Sequence, residues 1–282
     1  MRVSISVTNY SWTGEPAKHL DAIARTADET GIDTLWVADH LLQVDPTADP
    51  SHTEHLEALT TLGFLAARTE RVRLGTMVAC ATFRPPAVLI KAISTLAVLT
   101  GGRAWFGVGA GHQADEARAM DLPFPATAQR FEYLEDTLLL ARQMWAGDDS
   151  PFEGKQVRLE HPVNSPNPST RPRILVGGTG ERRTLPLVAR YADACNVFDI
   201  PDGGATVRQK LAVLADLCEA VGRPYEEIEK TIGTRLLPGE SGAAFAERCA
   251  TFVDLGIDHV IAITQGPWTP EAVRAASALR QT

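Results

Sequence analysis

Cysteine is scarce in this chain, and basic residues are outnumbered by acidic ones. Only four cysteines occur among 282 residues. They lie far apart, at positions 80, 195, 218 and 249, with no CxxC motif and no paired spacing with histidine, so we expect four small buried side chains. The 27 Lys and Arg against 35 Asp and Glu leave a formal net charge of −8. This balance argues against nucleic acid or an anionic membrane surface as a partner.

Long apolar runs are also missing. No segment reaches the length that a bilayer-spanning helix needs, and the first residues, "MRVSISVTNY", have the pattern of a strand and not of a signal peptide. A hydrophobic content of 44% and a charged content of 22% are ordinary for a soluble globular protein. We therefore expect a cytoplasmic protein that acts on a small molecule.

Short apolar strands alternate with amphipathic helices along the whole chain. Eight strand-then-helix units follow one another, which is what an α/β fold of the (β/α)8 TIM-barrel type requires. A doubly wound sheet is the rival, but "SVTNYSWTGEP" after the first strand lacks the GxGxxG of a dinucleotide site. We predict a single barrel domain over residues 1–282. An irregular, proline-rich insertion at residues 148–172 separates helix 4 from strand 5.

Two titratable residues end the second predicted strand. In "TLWVADHLLQ", Asp39 and His40 follow the apolar run 35–38, and active sites of such barrels lie where the strands end. Histidine exchanges protons near neutral pH, so His40 is a candidate acid–base group, and Asp39 could bind a ligand donor. The alternative is that Asp39 caps a loop and His40 is merely half exposed.

A glycine-rich turn follows the fifth predicted strand, in "LVGGTGERR" at residues 175–183. Three glycines before a helix let backbone N–H groups approach an anion closely, and Arg182 and Arg183 add positive charge. The pattern favours phosphate binding over a simple turn.

A second glycine-rich strand end is "FGVGAGHQADE", residues 106–116. The alternating glycines leave one strand face bare, which fits either tight packing or a flat ligand. His112 follows as a second acid–base group or a plain loop histidine. In "GTMVACATFRPP", residues 75–86, Met77, Val78 and Phe83 could line a ligand or the core.

A metal site is not predicted. The first strand carries no histidine, and His52 and His55, after the polar loop 43–51, are expected on a solvated face at the start of helix 2. No acidic or imidazole cluster completes a ligand set.

Several of these segments occur together, in the same order, in one known family. "LWVADHLL", "LGTMVACATFRPPAVLIKAISTLAVLTGGRAWFGVGAG", "FEGKQVRLE", "PRILVGGTGERRTLPLVARYADACNVF" and "CEAVGRPYEEIEKT" resemble the luciferase-like superfamily of flavin- and deazaflavin-dependent barrel oxidoreductases, and most of all its coenzyme F420 branch. The resemblance covers essentially the whole chain. It implies that His40 is the proton donor or lies beside the hydride site, and that the peptide Met77–Val78 is a cis bulge against the ring. It also implies a set of cofactor-binding residues, namely Asp39, Met77, Val78, Cys80, Ala110 and Gly111 around the ring and Gly177, Gly178, Thr179 and Gly180 around the phosphate.

The implied activity is hydride transfer at C5 of coenzyme F420, to or from an unidentified small organic substrate. Relatives are often homodimers, which makes a homodimer a candidate assembly here. Sugar-phosphate dehydrogenases of the family carry Glu where this chain has His112, and their basic clamp has no counterpart in "EKTIGTRLLPGE" or "HVIAITQG". This difference argues against a sugar-phosphate substrate. The alternatives are an FMN-dependent monooxygenase on the same barrel and a non-catalytic flavin-binding barrel.

Overall fold

A computed structural model of the chain describes residues 1–44 and 51–281. Most of the polar loop predicted at residues 43–51 therefore lies outside the described residues. The strands, in chain order, are β1 (Arg2–Val7), β2 (Thr34–Val37), β3 (Arg73–Thr76), β4 (Ala79–Cys80), β5 (Ala104–Gly109), β6 (Phe152–Glu153), β7 (Arg158–Leu159), β8 (Arg173–Val176), β9 (Ala194–Phe198), β10 (Glu229–Leu236) and β11 (His259–Thr264). The α-helices, in chain order, are α1 (Pro16–Thr30), α2 (Ala58–Ala66), α3 (Pro86–Leu99), α4 (Ala114–Ala119), α5 (Thr127–Trp145), α6 (Thr184–Tyr191), α7 (Ala205–Ala220), α8 (Gly242–Ala250) and α9 (Pro270–Ser277).

The main sheet closes on itself. Its strands follow the order β3-β2-β1-β11-β10-β9-β8-β5, and β5 pairs back to β3. Neighbouring strands are parallel, as the pairings of β1 with β11 and of β3 with β5 illustrate. The short strand β4 continues the path of β3 and also pairs with β5. The predicted (β/α)8 barrel is confirmed.

Helix α1 illustrates how the sequence sets the element bounds. Pro16 occupies the first turn, where its missing N–H costs nothing, and Gly31 ends the helix with φ 73° and donates its N–H to the carbonyl of Ala27. The buried positions Leu20, Ile23, Ala24 and Ala27 follow the predicted helical spacing. The helix therefore packs one apolar face against the barrel wall.

The insertion at residues 148–172 lies between α5 and β8, after the fourth helix of the barrel repeat, as predicted. It is not wholly irregular, because β6 and β7 pair as an antiparallel ribbon. Asp136 of α5 explains why the ribbon forms there: its buried carboxylate accepts hydrogen bonds from the backbone amides of Lys155, Gln156 and Val157 at 3.1, 2.6 and 3.0 Å. A further difference from the prediction is the six-residue helix α4, which precedes α5.

Two tryptophans fill the inside of the barrel. The indoles of Trp36 and Trp105 lie 5.5 Å apart, and they pack with Leu175, Ala194 and Ile261 in a cluster separate from the main core. Trp36 points inward because its neighbours on the strand point outward to the helices. Gly75 makes room for both indoles, since a Cβ there would lie 2.7 Å from atoms of Trp105 and Trp36.

A buried charged network closes the other end of the barrel, where the strands begin. The imidazole of His259 lies between the hydroxyl of Ser4 and the carboxylate of Glu229, at 2.6 Å from each. Arg2 and Arg173 bind the two oxygens of Glu229 at 3.0 and 2.7 Å. Because these partners outweigh the effect of burial, the pKa of Glu229 falls to about 2. The charged carboxylate therefore ties the starts of four strands together.

Candidate active site

A pocket of about 540 Å³ opens at the carboxyl ends of the strands. This is the end of a (β/α)8 barrel at which ligands bind. Every barrel strand contributes a residue from its length or from the segment that follows it, and β2, β3 and β8 contribute only through the following segments, at 39–40, 77–78 and 177–180. The lining residues are Ser6, Thr8, Asp39, His40, Met77, Val78, Ala79, Cys80, Phe83, Gly109, Ala110, Gly111, His112, Gln113, Glu116, Phe131, Gly177, Gly178, Thr179, Gly180, Thr184, Asn196, Phe198, Gly233, Ile261 and Ile263.

The wall beside β5 is built around Val78. The peptide bond Met77–Val78 is cis, as the family resemblance implied, and it lies between β3 and β4. A Cβ at Gly109 would lie 2.9 Å from Val78, and one at Gly177 would lie 2.6 Å from it. A Cβ at Gly107 would collide with the carbonyl oxygen of Thr76. The alternating glycines of β5 therefore accommodate the 76–78 segment, and Met77 and Val78 of that segment line the pocket together with Gly109 at the end of β5.

The turn 177–180 presents backbone amides. Gly177 donates to the carbonyl of Val108, and the carbonyl of Gly180 accepts from the amides of Thr184 and Leu185 at the start of α6. Within the described residues, the amides of Gly178, Thr179 and Gly180 have no hydrogen-bond acceptor. Gly178 has φ 102°, a conformation that residues with a Cβ rarely adopt. Such amides before a helix suit an anion.

Arg182 and Arg183 lie outside the pocket lining. Both are exposed, and the guanidinium of Arg183 sits 5.7 Å from the ring centre of Phe131, which lines the pocket. Their predicted role at the phosphate therefore depends on charge at the rim of the pocket and not on a side chain inside it.

His40 pairs with a residue that the sequence analysis did not assign to the site. Its Nδ1 lies 2.7 Å from Oε2 of Glu116, on α4. The other oxygen of Glu116 accepts from the amides of Leu41 and Leu42 at 2.5 and 3.1 Å. Burial opposes ionisation of Glu116, but these hydrogen bonds together hold its pKa below the ordinary value. Glu116 is therefore an ionised carboxylate in contact with Nδ1 of the His40 ring.

Two more imidazoles surround His40. The ring centres of His112 and His55 lie 5.7 and 6.0 Å from that of His40. Burial lowers the pKa of His112, and the nearby His40 lowers it further. Burial, and then His40, lower the pKa of His55 to about 4. The prediction of a solvated face for His55 was wrong, because its ring packs against Tyr10 with the two ring centres 4.8 Å apart.

Asp39 is bound mainly to protein groups. Its carboxylate receives two hydrogen bonds of 2.8 Å from Arg84 and one of 3.0 Å from the amide of Cys80. Arg84 also pairs with Glu57, which caps the start of α2 through the amide of Thr60. Asp39 still lines the pocket, but most of its hydrogen-bonding capacity holds the loop after Val78 in place. The sequence pattern gave no sign that Arg84 would be its partner.

The remaining predicted residues lie in the pocket wall. Cys80 is 5% exposed, and burial raises the pKa of its thiol, so the group is neutral. Gly111 has φ 75°, and a Cβ there would meet the sulfur of Cys80. The carbonyl of Ala110 accepts a hydrogen bond from Arg130 at 3.1 Å. The structure thus brings all predicted site residues to one pocket except Arg182 and Arg183.

Neither a metal centre nor a membrane-spanning helix is found in the part of the chain that the structure describes. No three of its His, Cys, Asp and Glu side chains are arranged to hold a metal ion, in spite of the three neighbouring imidazoles. None of its helices is long and apolar enough to cross a bilayer.

The chain is similar to proteins of a known family. A family model described as luciferase-like monooxygenase matches residues 1–280. An F420-dependent glucose-6-phosphate dehydrogenase of Kineococcus radiotolerans is 33% identical over 250 residues, covering 86% of this chain and 70% of the relative. An F420-dependent hydroxymycolic acid dehydrogenase of Mycobacterium tuberculosis is 29% identical, covering 80% of this chain and 60% of the relative. The chain spans 59% to 70% of the length of four glucose-6-phosphate dehydrogenases that it matches.

Solved structures share the fold. An F420-dependent secondary alcohol dehydrogenase, in complex with an F420–acetone adduct, superposes with a TM-score of 0.82 at 16% identity, covering 99% of this chain and 100% of the other. The coenzyme F420-dependent tetrahydromethanopterin reductase of Methanopyrus kandleri superposes with a TM-score of 0.77 at 15% identity, covering 98% of each chain.

Proposed function

Since this chain belongs to the luciferase-like monooxygenase family, we propose that it is a coenzyme F420-dependent oxidoreductase that acts on a small, uncharged organic substrate. One observation carries the proposal. A single pocket holds both the unengaged amides of Gly178, Thr179 and Gly180 and the ring of His40. The first feature suits the phosphate of a cofactor, and the second suits proton transfer beside its ring.

The residues present fit a deazaflavin. Met77, Val78 and Cys80 supply an apolar wall for a flat ring, and the turn 177–180 brings backbone amides into the same pocket. When bound, the deazaflavin would accept or donate a hydride at C5. The protein's task is then to hold the ring, exclude water and move one proton.

His40 is the proton carrier in this proposal. Its side chain is 18% exposed, at the pocket, and Nδ1 is engaged by Glu116. Nε2 therefore remains to take a proton from a substrate hydroxyl during oxidation, or to return one to a carbonyl oxygen during reduction. General acid–base catalysis of this kind contributes about 10²- to 10⁴-fold to the rate.

The pocket lining favours an uncharged substrate. No lysine or arginine is among the described residues that line it, and the sequence of residues 45–50 contains none. Arg84, which follows the lining residue Phe83, already binds Asp39 and Glu57. A dianionic phosphate ester would find no cation there, so we do not extend the sugar-phosphate activity of the curated relatives to this chain. Phe83, Phe131 and Phe198 indicate that part of the substrate is apolar.

Titration of the purified protein with F420 and with FMN, each followed by fluorescence, tests the cofactor. We expect saturable binding of F420 that is much tighter than that of FMN. Turnover of bound F420 with short secondary alcohols, or of the reduced cofactor with the matching ketones, tests the reaction. Tighter binding of FMN together with oxygen consumption would favour a monooxygenase instead. F420 binding with no turnover of any substrate tested, and no measurable effect of replacing His40, would favour a non-catalytic binding protein.

A further inference from the structure

Glu116 engages His40 and the chain that follows it at the same time. One carboxylate oxygen contacts Nδ1 of His40, and the other accepts the amides of Leu41 and Leu42. The side chain of Glu116 is only 2% exposed, so water does not compete for these bonds. A buried carboxylate with three protein donors is held in one orientation.

The charge on Glu116 decides where the proton of His40 lies. An ionised carboxylate only accepts hydrogen bonds, and the bonds at Glu116 keep its pKa low, which makes the ionised form the stable one. Nδ1 of His40 must then carry the proton and donate it to Oε2. In the neutral ring the other nitrogen, Nε2, becomes an acceptor with a free lone pair. Within the described residues, no hydrogen bond is made by Nε2.

We propose that Glu116 is a positioning residue, which fixes His40 in the tautomer with the proton on Nδ1 and so presents the bare Nε2 to the pocket as a proton acceptor. The use of that acceptor in catalysis rests on the proposed function, whereas the tautomer itself does not. Helix α4 thereby completes the site from outside the barrel. Glu116 stabilises the imidazolium once Nε2 has taken up a proton, because its negative charge remains 2.7 Å away.

An isosteric substitution reverses this arrangement. In Glu116→Gln, the side-chain oxygen is still required by the amides of Leu41 and Leu42, so the NH₂ group faces Nδ1 of His40. An amide nitrogen only donates. Nδ1 must therefore become the acceptor, and the proton moves to Nε2. The variant keeps the shape of the site and changes which ring nitrogen carries the proton.

Nitrogen-15 NMR of the histidine rings in the cofactor-free protein tests this proposal. The spectra are recorded at about pH 8.5, where an ordinary histidine is neutral, and a His40→Asn sample identifies the His40 signals. We expect a protonated Nδ1 in the wild type and a protonated Nε2 in Glu116→Gln. Asp115→Asn is the matched control, because Asp115 is the neighbouring acid on α4, is 91% exposed and forms its ion pair with Arg118. We expect its spectrum to match that of the wild type.

A wild-type ring with its proton on Nε2 would overturn the proposal, and this outcome does not depend on whether Glu116→Gln folds. A wild-type tautomer in Glu116→Gln, or the same change in Asp115→Asn as in Glu116→Gln, would also overturn it.

Turnover assays provide a second test. Glu116→Gln should lower kcat about 100-fold when His40 is present and have no further effect in a His40→Ala background, since it acts through that ring. An equal loss in both backgrounds would contradict this. Failure of the protein to bind F420 would refute the proposed function and leave the NMR result to decide the tautomer.

Discussion

The side chain of Val78 occupies the space that a Cβ on Gly177 would need. The two groups would lie 2.6 Å apart, although Val78 follows β3 and Gly177 follows β8 on the far side of β5. This contact joins the apolar wall of the pocket to the glycine turn that is proposed to bind phosphate. The proposed sites of the cofactor ring and of its phosphate therefore share this packing contact.

Replacing Gly177 by Ala should disturb both parts of the site. The new methyl group must push Val78 or the glycine turn aside, so we expect a loss of about 1–3 kcal/mol in the free energy of unfolding and weaker F420 binding. Gly63→Ala is the control, because Gly63 lies on the exposed side of α2 with nothing within 4 Å of the added Cβ. That change should stabilise the protein by about 0.5–1 kcal/mol. Thermal melts and F420 titrations of the two variants provide the comparison, and equal effects would contradict the packing argument.

His40→Ala should separate affinity from turnover. It removes the proton carrier and leaves the glycine turn and the apolar wall, so F420 affinity should stay within a few-fold while kcat falls about 10²- to 10⁴-fold. His161→Ala, at an exposed histidine in the insertion, should change neither quantity. Steady-state kinetics and fluorescence titration measure both, and an unchanged kcat would rule out His40 as the catalytic group.

Reversing the charge at the rim should weaken cofactor binding in low salt. Arg183→Glu places a negative charge beside Phe131, near the proposed phosphate site. We expect about a five-fold loss of F420 affinity, which corresponds to about 1 kcal/mol and should disappear at high ionic strength. Arg158→Glu, on the exposed ribbon strand β7, serves as a control of equal charge change. An affinity loss that does not depend on salt would indicate that Arg183 acts through packing.

His55 should make the protein less stable in mild acid. Its pKa falls from 6.5 to about 4 on folding, because burial and then the neighbouring His40 disfavour the charged ring by more than the carboxylates Asp39 and Glu116 favour it. Between these two pH values, His55 therefore binds a proton in the unfolded chain but not in the folded one. Stability is lost as the pH falls from 6.5 to 4, by about 3 kcal/mol in total. Denaturant melts across this range should show the slope in the wild type and a smaller slope in His55→Phe.

Glu229 should control stability at a lower pH. Its folded pKa of about 2 lies below the ordinary value of 4.5, so its contribution is complete above pH 4.5 and is lost as the pH falls to 2. Glu229→Gln should cost about 3–5 kcal/mol at neutral pH, because Arg2 and Arg173 lose the negative charge that they share, and the amide keeps only one of the two acceptor oxygens that Arg2, Arg173 and His259 use. Urea denaturation at pH 7 and pH 3 tests this, and a variant whose deficit is equal at both values would contradict the assignment.

The barrel and part of the site could be predicted because their signals are local. The strand–helix alternation, the helix end at Gly31 and the placement of Asp39 and His40 after β2 all follow from neighbouring residues. The role of Glu116 could not be predicted, because it depends on His40, which is 76 positions away in the chain. Glu116 also lies on a helix of only six residues. The pairing of Arg84 with Asp39 could not be predicted for the same reason, since the two residues are 45 positions apart. The packing of His55 against Tyr10 likewise depends on the closed barrel.

The paired indoles of Trp36 and Trp105 have a consequence for access to the pocket. They close the barrel interior beneath the pocket, as side chains do in (β/α)8 barrels generally. The cofactor and the substrate of the proposed reaction would therefore share one entrance, at the carboxyl ends of the strands.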